Sequence, residues 1–200
     1  MVDLARVRSV LGAAPGTGLS AAEVLPPVPP AGARAAAVLV PLFEEAGEAR
    51  VVLTRRSATL SSHSGEVSFP GGTVGPGEDD LAAALREAEE EVGLTPAAVE
   101  VVGRLDRLRT PTTGFLLTPF VGVLAGRPAL RPASGEVEEA FDVALSRLLD
   151  PALFREERWD RPPPERPVWF FELGHDTVWG VTARILHQLL RLVTAPRSPG

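Results

Sequence analysis

The chain has 200 residues, enough for one domain with a sizeable core, and 44% hydrophobic against 23% charged residues is ordinary for a globular protein. It has no cysteine, which excludes a disulfide framework and a thiol nucleophile and leaves zinc only His and carboxylate ligands; all 20 basic residues are Arg, which excludes Schiff-base and Walker-type lysine chemistry but keeps the side chain best shaped to grip phosphate bidentately. The net charge of −6 argues against broad binding to nucleic acid or to anionic membranes.

In chain order, residues 1–11 read as a short helix, and residues 12–34 are rich in Ala, Gly and Pro, an extended lead-in ending in PPVPPAGAR. The N-terminus lacks a long apolar h-region and no apolar run approaches about 18 residues, so the expected compartment is the cytoplasm. Ala35 to Phe43 and Arg50 to Arg55 predict two strands around an acidic hairpin. A helix follows from about Leu81, and then strands over Val99 to Leu108 and Phe115 to Leu124. Ala140 to Leu149 predicts a helix preceded by a Gly-bearing loop. Pro162 to Pro167 reads as a stiff surface loop, Val168 to Leu173 as a strand, and Trp179, Ala183, Leu186, Leu190 and Val193 stripe a closing helix. There is no internal repeat. The expected division is a lead-in over 1–32, one domain over 33–195 and a tail over 196–200. Mixed strands with helices before and after them predict an α/β fold with a mixed sheet.

Chemistry concentrates in Gly72 to Leu94, GTVGPGEDDLAAALREAEEEVGL. Leu81, Ala84, Leu85, Ala88 and Val92 mark one buried helical stripe, so Glu87, Glu90 and Glu91 form an adjacent strip, with Glu87 and Glu91 one turn apart. Like charges so placed repel, a cost that bound Mg²⁺ or Mn²⁺, which prefer oxygen ligands, reverses. Arg86 lies off that strip, where it can pair with Glu78 across the loop. Gly71, Gly72, Gly75, Pro76 and Gly77 let the backbone turn before the helix, and Asp79 or Asp80 can cap it. A bare E-x-x-E-E more often marks a solvated helix face; the nine positions in register, Gly72, Glu78, Arg86, Glu87, Ala88, Glu90, Glu91, Gly93 and Leu94, are what lift the segment above that reading.

Those nine positions resemble the Nudix box, and the chain is similar to the Nudix hydrolase family. The resemblance implies a Nudix-type α/β/α sandwich, hydrolysis of a phosphoanhydride and Mg²⁺ or Mn²⁺ held by Glu87, Glu90, Glu91 and Gly71, with Arg86 in the catalytic set. Nudix enzymes often draw a further carboxylate from a loop, and here Glu136, expected just before a helix, is the choice for metal ligand or general base, with Glu138 and Glu139 as fallbacks.

The stretch before the box, Leu53-Thr54-Arg55-Arg56-Ser57 through Gly65 to Phe69-Pro70-Gly71-Gly72, resembles the coenzyme A pyrophosphatase subfamily, with its L-T-x-R-S segment, a Gly and F-P-G-G. The implied substrate-binding residues are Arg55, Arg56, Ser57, His63, Gly65, Phe69, Gly71 and Gly72. One position departs: Ser61 stands where the subfamily pattern has Arg, and Arg55, Arg56, Arg104, Arg107 or Arg109 could supply that charge. Trp179-Gly180-Val181-Thr182-Ala183-Arg184 resembles the subfamily's W-G-x-T-A-R helix opening, where packing is the favoured role. His63, His175 and His187 are too dispersed for a metal triad.

The leading expectation is cleavage of the diphosphate of coenzyme A, or of acyl or oxidised forms of it, to 3′,5′-ADP and 4′-phosphopantetheine. A pyrophosphatase for ADP-ribose, NADH or another nucleoside diphosphate derivative is the alternative within the same chemistry. An alternative of another class is a non-catalytic Nudix-fold module that binds a nucleotide. The expected partner is a small-molecule substrate, with neither nucleic acid nor membrane, and a homodimer by family analogy.

Overall fold

The computed structural model describes residues 2–13, 34–58, 65–110, 114–133, 135–159 and 166–196. In chain order its elements are helix α1 (Leu4–Ala13), strands β1 (Ala35–Glu45), β2 (Glu48–Arg56), β3 (Val67–Ser68) and β4 (Gly71–Thr73), and helix α2 (Asp80–Val92). There follow β5 (Glu100–Arg104), β6 (Leu108–Arg109), β7 (Leu116–Val123), β8 (Val137–Ala144), the short helix α3 (Leu145–Leu148), β9 (Phe154–Trp159), β10 (Arg166–Glu172), β11 (Thr177–Trp179) and helix α4 (Gly180–Thr194). No helix among the described residues is long and apolar enough to cross a membrane.

The main sheet is mixed. β1 runs parallel to β7 from Ala35 opposite Leu116 to Leu42 opposite Val123, while its other edge forms the hairpin with β2, Glu45 opposite Glu48. The hairpin then opens. Along that edge the first half of β1 pairs with β4, Ala37 opposite Gly72, and the second half of β2 pairs with β3, Thr54 opposite Ser68. Residues 67–73 thus fill the split in the hairpin, and the split is what places Gly71 and Gly72 beside α2.

Both faces of β1 are apolar because both are covered. Ala37, Leu39 and Phe43 meet Ala83, Ala84, Ala88 and Val92 of α2, whereas Ala36, Val40 and Leu42 point to the opposite side, where Val7 and Leu11 of α1 and Ile185, Leu186 and Leu189 of α4 pack. The result is an α/β/α sandwich. Burying one such Leu, Ile or Phe is worth roughly 1.5–3 kcal/mol, so one strand alternating between two apolar sets fastens both helical layers.

The structure departs from the sequence-based expectations in four places. Ala140 to Leu149 is not a helix: Val137–Ala144 is strand β8, antiparallel to β2 from Arg50 opposite Ala144 to Arg56 opposite Val137, and only Leu145–Leu148 is helical. The outer edge of β2 exposes a row of N–H and C=O groups that β8 satisfies, and this tertiary demand overrides the local apolar spacing. The strand expected over Val99 to Leu108 is broken into β5 and β6, because Leu105 N–H turns to the Pro119 carbonyl (2.9 Å) and Asp106 is held by Gln188, whose Nε2 donates to Asp106 Oδ2 at 2.7 Å. Both polar side chains are buried.

Within α2, the buried set includes Ala83 and Glu91, while Leu81 and Leu85 are only half-buried. Finally, β9, β10 and β11 form a second, three-stranded antiparallel sheet. Pro167 sits inside β10 opposite Arg158 rather than in a surface loop, and residues 160–165 lie outside the described residues. β9 escapes pattern reading because four of its six residues are Arg or Glu. It is held by β10 and by Phe154 against Phe171, centroids 5.4 Å apart.

Candidate active site

The carboxylates sit where α2 faces β4. Asp79 caps the helix, its Oδ1 accepting from Leu81 N–H (2.9 Å) and Ala82 N–H (3.2 Å), which fixes the rotation of the helix over the sheet. Two glycines then allow contact. Gly71 adopts φ 155°, outside the range of L side chains, and a Cβ there would lie 2.4 Å from the Ala37 carbonyl oxygen; a Cβ on Gly72 would lie 2.5 Å from the Glu87 carboxyl carbon. The strand is therefore wedged between β1 and the carboxylates.

Arg86 organises the loop side. Its Nε donates to Glu78 Oε1 at 2.9 Å, its Nη1 to Glu87 Oε1 at 2.8 Å and to Glu90 Oε2 at 3.1 Å. Glu78 in turn accepts from Gly75 N–H at 2.8 Å, and the Arg86 guanidinium, seconded by that N–H, holds the Glu78 carboxyl below its usual range. The pairing anticipated across the loop is thus one arm of a four-residue clamp. Glu90 is the most exposed of the box carboxylates.

Glu91 has the opposite surroundings. It is 5% exposed, and its Oε2 accepts from Gly71 N–H at 3.1 Å. Burial pushes its carboxyl up to about 7; Glu87 and Glu136 push in the same direction, while Gly71 N–H and the Arg56 guanidinium oppose. A buried carboxylate crowded by two others is a charge arrangement that a hard divalent cation would relieve. Among the described residues no three His, Cys, Asp or Glu side chains converge on one point, with Glu87 and Glu90 both turned to Arg86. The donor set nonetheless fits such an ion, all oxygen and with Glu91 already desolvated.

The structure also explains how Glu136 reaches this place. Ala133 N–H donates to the Glu91 carbonyl (2.8 Å) and Arg131 N–H to that of Val92 (2.9 Å), so the segment before β8 hangs on the end of α2; Ser57 N–H then donates to the Glu136 carbonyl at 2.9 Å. Glu136 precedes a strand, not the expected helix. Glu138 and Glu139 are taken by Arg55, at 3.5 and 2.6 Å, which also pairs with Asp176 at 2.8 Å.

The two neighbouring arginines therefore part. Arg55 is spent tying β2 to β8 and to the turn before β11, whereas Arg56 lies close enough to Glu91 to act on its charge and carries a buried Nε with no hydrogen-bond partner among the described residues. Gly65 and Arg56 are linked through the backbone at 3.2 Å, and Phe69 is 3% exposed in the core, where it packs and fixes the Gly71–Gly72 turn. Ser61 and His63 lie outside the described residues. Arg107 pairs with Asp80 at 3.3 Å. His187 is stacked on Trp169, centroids 4.2 Å apart, in the packing of α4.

A mixed sheet that presses a glycine-rich turn against a carboxylate-bearing helix is a scaffold for metal-assisted phosphate chemistry. Comparison with known proteins agrees. The NUDIX domain family matches residues 33–166. The Nudix hydrolase NudL of Photorhabdus laumondii is 41% identical over 144 residues, 72% of this chain and 76% of that protein. Nudix hydrolase 22, chloroplastic, of Arabidopsis thaliana is 42% identical over 153 residues, 72% of this chain but only 50% of the plant protein. A solved MutT/nudix family protein from Enterococcus faecalis superposes with a TM-score of 0.53 at 17% identity, covering 84% of this chain and 62% of that one, a likeness of fold. The chain belongs to the Nudix hydrolase family, whose members act on phosphoanhydride bonds and generally use divalent ions such as Mg²⁺ or Mn²⁺.

Proposed function

We propose that this chain hydrolyses the diphosphate of coenzyme A, or of acyl or oxidised forms of it, to 3′,5′-ADP and 4′-phosphopantetheine. The observation that carries the reading is Arg56. It is the Arg of the L-T-x-R-S segment that resembles the coenzyme A subfamily; its guanidinium is close enough to Glu91 to act on its charge, and its buried Nε, with no hydrogen-bond partner among the described residues, is a donor that an anionic oxygen would satisfy. Arg55, the variable position of that segment, is the one committed to carboxylates.

Glu87, Glu90 and Glu91, with Gly71 and Glu136, would hold Mg²⁺ or Mn²⁺. When bound, the ion neutralises charge on the diphosphate and acidifies water. Arg56 orients a phosphate oxygen, and Arg86 holds Glu87 and Glu90 in place through its hydrogen bonds to both. Water adds across the P–O–P bridge: its oxygen bonds to one phosphorus, the bridging oxygen leaves with the other, and the proton passes to a carboxylate of the pair Glu87 and Glu136.

The test is incubation with Mg²⁺ or Mn²⁺ and a mixture of coenzyme A, dephospho-coenzyme A, ADP-ribose, NADH and diadenosine polyphosphates, with products identified by mass spectrometry. Selective release of 3′,5′-ADP and 4′-phosphopantetheine is expected; preferential cleavage of ADP-ribose or NADH would refute the coenzyme A reading. Within it, Arg56→Ala is expected to lower kcat/KM by about 10- to 100-fold, as befits a lost charge-assisted hydrogen bond. Arg55→Ala should instead reduce thermal stability with a smaller kinetic effect, and the reverse ranking would reject the division of roles between the two.

A further inference from the structure

The two aspartates that open α2 do different work. The Asp79 cap joins the loop to the helix, whereas Asp80 joins the helix to the sheet: its Oδ2 accepts from Thr118 Oγ1 of β7 at 2.7 Å and from Arg107 Nη2 at 3.3 Å. Thr118 is 1% exposed and stands opposite Ala37 of β1, on the sheet face that α2 covers. A bonded hydroxyl buried there adds little net stability over an apolar side chain of the same shape. What it adds is direction. The Arg107 end is anchored in turn, since Leu105 N–H donates to the Pro119 carbonyl and Asp106 is bonded twice to Gln188 of α4.

The packing of α2 makes such a fastening matter. Its buried apolar residues are Ala83, Ala84, Ala88 and Val92, and a face of alanines lets a helix lie close to a sheet while offering few ridges to lock its angle or its slide. Asp80 precedes Glu87 by seven residues and Glu91 by eleven. At about 100° per residue, both carboxylates therefore fall within about 20° of the line that Asp80 marks along the helix. α2 crosses β1 obliquely: Asp80 reaches β7 along one edge of β1, and Glu87 and Glu91 meet Gly72 and Gly71 of β4 along the other. Holding Asp80 on the β7 side thus sets how Glu87 and Glu91 come down on the β4 side. A slide of one residue's rise, about 1.5 Å, exceeds the misplacement that such chemistry tolerates.

We infer that Asp80, gripped by Thr118 and Arg107, is a positioning residue that sets how α2 lies across β1 and, through it, where Glu87 and Glu91 stand for the metal. The inference rests on the proposed metal-assisted hydrolysis by those carboxylates, though not on the substrate being coenzyme A. The experiment is titration of Mn²⁺ alone into wild type, Thr118→Val, Thr118→Ser, Asp80→Ala and the double variant Thr118→Val with Asp80→Ala. Thermal melts in EDTA and kinetics on coenzyme A and ADP-ribose accompany it. Thr118→Val is expected to weaken Mn²⁺ binding and to lower kcat by about 10-fold each. Its KM should stay within about threefold, and its melting temperature within about 4 °C of wild type. Thr118→Ser, which keeps the hydroxyl, should recover most of both losses. Because Thr118 acts through Asp80, the double variant should be no worse than Asp80→Ala. Wild-type Mn²⁺ affinity in Thr118→Val, an equal loss in Thr118→Ser, losses that multiply in the double variant, or a kcat that falls only in step with melting temperature each overturns the role. If ADP-ribose is cleaved and coenzyme A is not, while Thr118→Val binds Mn²⁺ weakly, the coenzyme A reading falls and the positioning role stands. If Thr118→Val cleaves coenzyme A as wild type does, only the positioning role falls.

Discussion

Glu91→Gln is expected to reduce metal-dependent hydrolysis by roughly 100-fold or more, since even residues that merely support metal ligands cost 10- to 100-fold, and yet to stabilise the metal-free protein above neutral pH. The second half follows from burial. The Glu91 carboxyl is raised from 4.5 to about 7 in the folded chain, so the folded state binds the proton more tightly than the unfolded one. Its contribution to stability is full below about pH 4.5, declines as pH rises toward 7, and is lost above it, a swing on the order of 3 kcal/mol. Thermal melts in EDTA at pH 5.5 and 8.5 read this directly. Wild type should lose several degrees more than Glu91→Gln over that interval, and Mg²⁺ or Mn²⁺ should restore wild type but not the variant. Parallel pH profiles for the two proteins would show that Glu91 is not the strained carboxylate.

The adjacent glycines should separate fold from chemistry. At Gly71 an added Cβ meets backbone, 2.4 Å from the Ala37 oxygen and 2.6 Å from Val38 Cα, at φ 155°; neither can yield without opening the β1–β4 pairing. Gly71→Ala is therefore expected to cost about 3 kcal/mol or more in stability. At Gly72 the obstacle is the Glu87 carboxylate, the far end of a flexible side chain. Gly72→Ala should fold with a loss of roughly 1 kcal/mol but lower kcat by about 100-fold, because displacing by an ångström a carboxylate proposed to hold the metal would misalign the site. Urea unfolding and kinetics on the same preparations decide the matter; equal loss of stability in both variants would mean that Glu87 is held rigidly and does not yield.

Much of the site was legible because it is local. The box places Glu78, Arg86, Glu87, Glu90 and Glu91 within one loop and one helix, and helical periodicity is enough to set the carboxylates beside an apolar stripe. Asp79 as a cap and the Glu78–Arg86 pair follow from the same short-range geometry. The nine box positions also pointed to the family and, through that resemblance, to the layered fold, with which apolar strands flanked by amphipathic helices are consistent.

What the tertiary structure alone decided depends on long-range pairing. Only the opening of the β1–β2 hairpin sets Gly71 against Glu91, and only the pairing of β2 with β8 turns the expected helix over Ala140 to Leu149 into a strand. The same pairing commits Arg55, Glu138 and Glu139 to one another, while Arg56 and Glu136 act on the charge of Glu91, a distinction between neighbouring residues of like charge that no local pattern contains. The second sheet is the extreme case. Trp159, Phe170 and Trp179 lie on three separate strands, one of them short and one largely charged, and sheet register is what brings their rings to one face. Register is fixed by which strand edges find partners, a property of the whole folded chain and not of any window of its sequence.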